Sequence, residues 1–160
     1  MNASHKFYMG LALEEAHLAA DRGEVPVGSV LIYDGQILAR ARNEKESQRD
    51  PTGHAELRVI QMASQALKAW RLGSKSTLYV TLEPCLMCAG AIVSSRLGTL
   101  VYGASDPKAG AVESLYQTLS DSRLNHQVDL ISGVRAQECS QLLTNFFRRR
   151  RCEKNSRASS

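Results

Sequence analysis

The 160-residue sequence reads as one α/β layered domain, and three observations carry that reading. Short β-rich segments alternate along the chain with amphipathic segments of helical period. The length suits a single core, which at this size buries roughly 70% of the surface that the unfolded chain exposes. Apolar residues make up 43% and charged residues 22%, a balance that excludes a disordered or fibrous chain.

The elements follow in order. Residues 7–22 form an amphipathic helix with Met9, Leu13, Ala16 and Ala20 on one face, closed by Gly23. Val25 to Tyr33 is a strand, Asp34-Gly35 a two-residue hairpin turn, and Ile37 to about Arg42 the returning partner. The polar stretch from Asn43 to Thr52 leads to Asp50 or Thr52 as a helix cap, with Pro51 suited to the entry. The helix beyond it carries Ile60, Ala63, Leu67 and Trp70 on one face, and Met62 fits core filling, as does Met87 further on. Thr77 to Leu82 is a strand, and Pro84 opens a helix running to about Ser95. Leu100 to Gly103 is another strand, residues 105–126 are mixed with one short helix around Val112–Leu119, and Val128 to Ile131 is the last strand. A final helix aligns Cys139, Leu142, Leu143, Phe146 and Phe147 in an apolar stripe. The expected division is an ordered domain over residues 1–152 and a disordered basic tail over 153–160.

Charge is unevenly placed. Residues 1–145 hold 14 Lys/Arg against 15 Asp/Glu, whereas residues 146–160 hold six basic side chains and one acid. The net charge of +4 therefore belongs to the C-terminal end, which suits either a polyanionic partner or a solvated terminus. No apolar run approaches the 18 or so residues that cross a bilayer, and the N-terminus does not read as an export signal, so the expectation is a soluble cytoplasmic protein without membrane contact. In that compartment the four cysteines stay reduced.

Two short segments concentrate the chemistry: His54-Ala55-Glu56 and Pro84-Cys85-Leu86-Met87-Cys88. Cysteines three apart on a helix share a face, so both sulfurs can meet one ion, with His54 as a third ligand. Three protein ligands and an open position are the catalytic form of zinc, and two thiolates with a neutral imidazole cancel the charge of Zn²⁺. On a regular helix His54 and Glu56 would diverge by about 200°. They converge if the ion lies beyond the helix end, where Glu56 serves better as a proton shuttle than as a ligand. Two other readings stay open. A redox Cys-x-x-Cys leaves His54 and Glu56 unexplained, and a structural Cys₄ site needs Cys139 from the apolar stripe and Cys152 beyond the arginine run. His5, His17 and His126 lack ligand spacing and read as surface or packing residues.

With its H-x-E…P-C-x-x-C signature, the sequence resembles the zinc-dependent nucleobase and nucleoside deaminases. Further stretches resemble the bacterial tRNA adenosine deaminases within that superfamily: Glu24 to Gly28, Asp50 to Glu56, Tyr79 to Ala91, Gly103 to Ala111, Asn125-His126 and Phe146 to Arg151. The likeness covers about residues 7–151; Gly53 stands where the family often has Ala, and Leu86 where it often has Val. It implies a three-layer α/β/α cytidine-deaminase-like domain around a five-stranded mixed sheet, usually a homodimer. It implies one Zn²⁺ per subunit on His54, Cys85 and Cys88, with Glu56 moving protons for a zinc-bound hydroxide. The implied reaction is hydrolysis of adenosine to inosine at the wobble position of a tRNA anticodon. By position, Asn43 matches a base-contacting residue, while Asp106 and the final helix, with Phe146, Arg149 and Arg150, match regions that meet the anticodon stem-loop. A deaminase of free cytosine, guanine or cytidine shares the signature and is the alternative. A non-catalytic RNA-binding module with structural zinc would have no use for Glu56.

Overall fold

Helices cover both faces of one sheet in the computed structural model, which describes residues 2–159. The elements are α1 (Ala3–Asp21), β1 (Gly28–Tyr33), β2 (Gln36–Arg42), α2 (Ala55–Leu67), β3 (Gly73–Leu82), α3 (Leu86–Ser94), β4 (Leu97–Ala104), β5 (Asp129–Ile131) and α4 (Ala136–Ala158). The five strands lie in the order β2-β1-β3-β4-β5, with β1 antiparallel to both neighbours and β3, β4 and β5 mutually parallel. Chain connections account for this mixture. The Asp34-Gly35 turn, with φ of 49° and 79°, permits only an antiparallel return, whereas α3 supplies the crossover that parallel β3 and β4 require.

Alternation along the strands sorts the core into two layers. Leu31, Leu78, Val80, Leu100 and Tyr102 face α2 and α3, where Val59, Ala63 and Ile92 meet them. Val30, Ile32, Tyr79 and Val101 face the other way, toward Met9, Ala12 and Leu13 of α1 and Cys139 of α4. The central strands are apolar on both faces because helices cover both. This is the three-layer arrangement that the resemblance implies.

Several boundaries differ from expectation, each for a local reason. α1 starts at Ala3 because Asn2 caps it, its side chain accepting from the Ser4 amide. Asp50 does not cap α2; its carboxylate turns back onto the amide and hydroxyl of Thr52, and His54 takes the cap position. α2 ends where Lys68 adopts left-handed φ, so Trp70 lies past the helix, 59% exposed, with the Arg71 guanidinium 4.7 Å above its ring. Pro84 stands just before the cap of α3 rather than in its first turn. No α-helix forms over Val112–Leu119, where the Glu83 carboxylate draws in the amides of Val112, Glu113 and Ser114. Met62 and Met87 are exposed instead of filling the core. Residues 153–158 continue α4 as exposed helix, and neither Gly nor Pro interrupts Ala136–Ala158. Among the described residues no helix is long and apolar enough to cross a membrane.

Candidate active site

Two helix N-termini meet at one edge of the α2–α3 layer, and the two motifs sit on them. His54 and Cys85 occupy the cap positions of α2 and α3 with extended backbone, and neither side chain caps its own helix. Both are thereby free to face outward from the helix ends. Cys88 lies one turn into α3 and is fully buried. His54 Nδ1 stands 3.6 Å from each sulfur, and ligand atoms of the three residues lie within 4.8 Å of one another. A tetrahedral zinc with Zn–S of about 2.3 Å and Zn–N of about 2.05 Å places nitrogen and sulfur about 3.6 Å apart. The donor set fits that ion in kind and in spacing. Cys139 is packed in the opposite layer and Cys152 is exposed on α4, so neither completes a Cys₄ site.

The surroundings favour anionic ligands. Both helix dipoles present their positive ends to the triad. A hydrogen bond from Cys88, aided by His54, holds the Cys85 thiol down at about 4, and the same sulfur contact with burial pushes Cys88 up. Cys85 in turn raises His54. Glu56 is in the first turn of α2 and 4% exposed; burial raises its carboxyl to about 7, against the pull of its own backbone amide and of His54. Because His54 lies outside the helix proper, the 200° divergence of regular helical geometry does not apply, and both residues line one pocket.

That pocket has a volume of about 190 Å³, with Asn43, Lys45, Glu83 and Asp106 at its walls beside His54, Glu56 and Cys85. Asn43, just past β2, donates to the Val25 carbonyl and accepts from the Lys45 amide, which fixes its orientation while leaving one N–H and one lone pair. Buried Glu24 holds the same lip by accepting from the amides of Glu46 and Ser47. On the opposite lip, Asp106 accepts from the amides of Lys108 and Ala109.

A groove of about 620 Å³ continues from the pocket, sharing Val25, Leu82 and Asp106 with it and running between Lys108 and α4. Its α4 wall presents Phe147 and Arg151. The side chains of the Phe146–Arg151 segment part into two sets here. Phe146 is buried at 4% exposure, and Arg150 donates to the Gly23 carbonyl at 2.9 Å while its guanidinium lies 5.5 Å over the Phe146 ring. Both serve the docking of α4, and Arg149 is exposed but lines neither cavity. The residues facing the groove, Phe147 and Arg151, lie one helical turn apart, a spacing that could have singled them out within the Phe146–Arg151 segment. Glu83 was also missed; a carboxylate directly before Pro84 and the first thiol was the available signal. His5 pairs with the Tyr79 hydroxyl and His126 with the Leu97 carbonyl, as packing residues.

Comparisons with known proteins agree with one another. A model of the MafB19-like deaminase family matches residues 3–151. The chain is 48% identical over 149 residues to a Bacillus subtilis protein named tRNA-specific adenosine deaminase, covering 93% of this chain and 92% of the relative. A protein of the same name from Agrobacterium fabrum is 46% identical over 151 residues, covering 94% and 99%. A solved structure from studies of A-to-I editing by tRNA:A34 deaminases at the wobble position of transfer RNA superposes with a TM-score of 0.82, at 47% identity, covering 86% of this chain and 99% of that one.

Proposed function

The chain belongs to the MafB19-like deaminase family, and on that premise we propose that it hydrolyses adenosine to inosine at the wobble position of a tRNA anticodon. The observation that carries the reading is an open His54–Cys85–Cys88 triad with the buried Glu56 carboxyl in the same pocket. His54, Cys85 and Cys88 would hold one Zn²⁺. The chemistry that ion supplies when bound is a water acidified from 15.7 to about 7, available as hydroxide at neutral pH.

The protein's own residues supply the proton transfers. Glu56, raised toward neutrality by burial, can both accept and release a proton near pH 7. It takes a proton from the attacking water and delivers it to N1 of adenine as oxygen adds to C6. A second transfer through Glu56 protonates the amino group, the C6–N bond breaks, and ammonia leaves with inosine as product. Asn43, held by Val25 and Lys45, keeps an N–H and a lone pair for the edge of the base.

The pocket is of a size for one base, so the target nucleotide must be splayed from its neighbours at a cost of a few kcal/mol, which is least in a single-stranded loop. The adjoining groove offers Phe147 as a stacking surface with Lys108 and Arg151 as phosphate partners, which suits an RNA loop better than a free base. Exposed Met62, Leu86 and Met87 on α2 and α3 support the homodimer that the resemblance implies, and a tRNA substrate suits the cytoplasm. The test is to incubate the zinc-loaded protein with total tRNA and, separately, with free bases and nucleosides, and to assay inosine and ammonia. Inosine in tRNA alone supports the proposal; turnover of free cytosine, guanine or cytidine without tRNA turnover replaces it with the small-molecule reading.

A further inference from the structure

Glu83 is an acid that the chemistry above does not use, yet it is 2% exposed and fully engaged. Oε1 accepts from the amides of Val112, Glu113 and Ser114 at 3.2, 2.8 and 2.9 Å. Oε2 accepts from the Asp106 amide at 2.9 Å and from the Ser114 hydroxyl. One carboxylate therefore gathers both ends of the segment from Asp106 to Ser114. Gly110 packs so closely on it that a Cβ there would overlap Cδ and Oε2, so the segment is shaped around this group. Backbone bonds hold the same region independently: Glu83 N to Ala104 O, Ala111 N to Pro84 O, and a bridge between Cys85 and Gly110.

The oxygens divide the load. Oε1 fastens the far end of the loop, and Oε2 fastens Asp106, the residue at the rim shared by the base pocket and the groove. Asp106 spends Oδ1 on the amides of Lys108 and Ala109 within its own loop, so it is through its amide, bound to Oε2, that a side chain ties it to the residue that follows β3. We propose that Glu83 is a positioning residue that sets Asp106 and its loop at the rim, so that substrate affinity depends on it. The inference rests on the RNA substrate proposed above.

Glu83→Gln tests it with nearly the same shape. The amide oxygen can still serve the amides of Val112, Glu113 and Ser114, and the Ser114 hydroxyl can turn to accept from Nε2. The Asp106 amide, however, then faces a donor. With an RNA hairpin bearing adenosine at the wobble position, KM rises about tenfold for the loss of this charged contact, kcat stays within about twofold, and zinc per chain is unchanged. Ser114→Ala, which strips one donor from Oε2, raises KM about threefold, and Ser114→Thr restores it. Should Glu83→Gln not fold, the Ser114 pair decides alone. Wild-type KM in these variants, or a joint fall in kcat and zinc at constant KM, overturns the positioning role. A wild-type protein that makes no inosine from the hairpin overturns the functional reading itself, which separates the two failures.

Discussion

Arg150 and Arg151 are neighbours in sequence with different tasks in the structure, and the difference can be measured. Arg150 ties the end of α1 to α4 through Gly23 O at 2.9 Å and covers the Phe146 ring at 5.5 Å. Removing one exposed hydrogen bond and one exposed cation–π contact in Arg150→Ala costs about 1–2 kcal/mol. For a domain of this length that lowers Tm by roughly 2–8 °C. Arg151 reaches into the groove with Lys108 and Phe147 and carries no such tie. Arg151→Ala should therefore leave Tm within about 1 °C and, if the groove holds RNA as proposed, remove one phosphate contact, which flattens the slope of log affinity against log salt by about 0.7–0.9. Between roughly 50 and 200 mM salt, that difference narrows the wild-type advantage about threefold. The assay is thermal unfolding beside hairpin binding across a salt series, on proteins of equal zinc content. A flattened salt slope in Arg150→Ala with wild-type Tm, or an unchanged slope in Arg151→Ala, would refute the assignment.

Three further outcomes follow from the same geometry. Cys88→Ser should lose the metal, and a chelator that lowers the Tm of the wild type should leave the variant's Tm unmoved, because metal affinity is folding energy. Cys139→Ser places a hydroxyl in the α1–α4 layer, against Gly103, and should cost about 1–3 kcal/mol of stability while zinc per chain stays at the wild-type value; depleted zinc would revive a Cys₄ site. Glu83 gives a pH dependence: burial works to raise its carboxyl, but the Ser114 hydroxyl and the amides of Asp106, Glu113 and Ser114 outweigh it and hold the group down at about 2. A depressed carboxyl contributes stability above the ordinary carboxylate range and loses it as pH falls toward 2, so the Tm gap between wild type and Glu83→Gln should shrink on acidification; a constant gap contradicts the depressed value.

The candidate site was legible because its spacing is local: a histidine two residues before a glutamate, and two cysteines one turn apart behind a proline. Alternating strand and helix periods likewise exposed the layers and the Asp34-Gly35 hairpin. What stayed hidden depended on side chains reaching across the fold. His54 becomes a helix cap only because Asp50 turns back onto Thr52. The segment over Val112–Leu119 has a helical composition, yet a carboxylate from the end of β3 captures its amides. On α4, the apolar stripe locates the helix but not its rotation, so it does not show that Phe146 is buried while Phe147 lines the groove. Long-range hydrogen bonds and helix rotation have no period in a single sequence.

The proton-shuttle role of Glu56 is tested most directly by loading wild type and Glu56→Ala with zinc, measuring zinc per chain, and following inosine formation on one hairpin with adenosine at the wobble position. Truncating a carboxylate that moves protons without holding the metal removes a contribution of about 10²–10⁴ in rate. One zinc per chain is expected in both proteins, with inosine from the wild type and turnover from Glu56→Ala reduced at least about a hundredfold. Loss of zinc together with activity would place Glu56 among the ligands, and full activity with full zinc would remove it from the reaction.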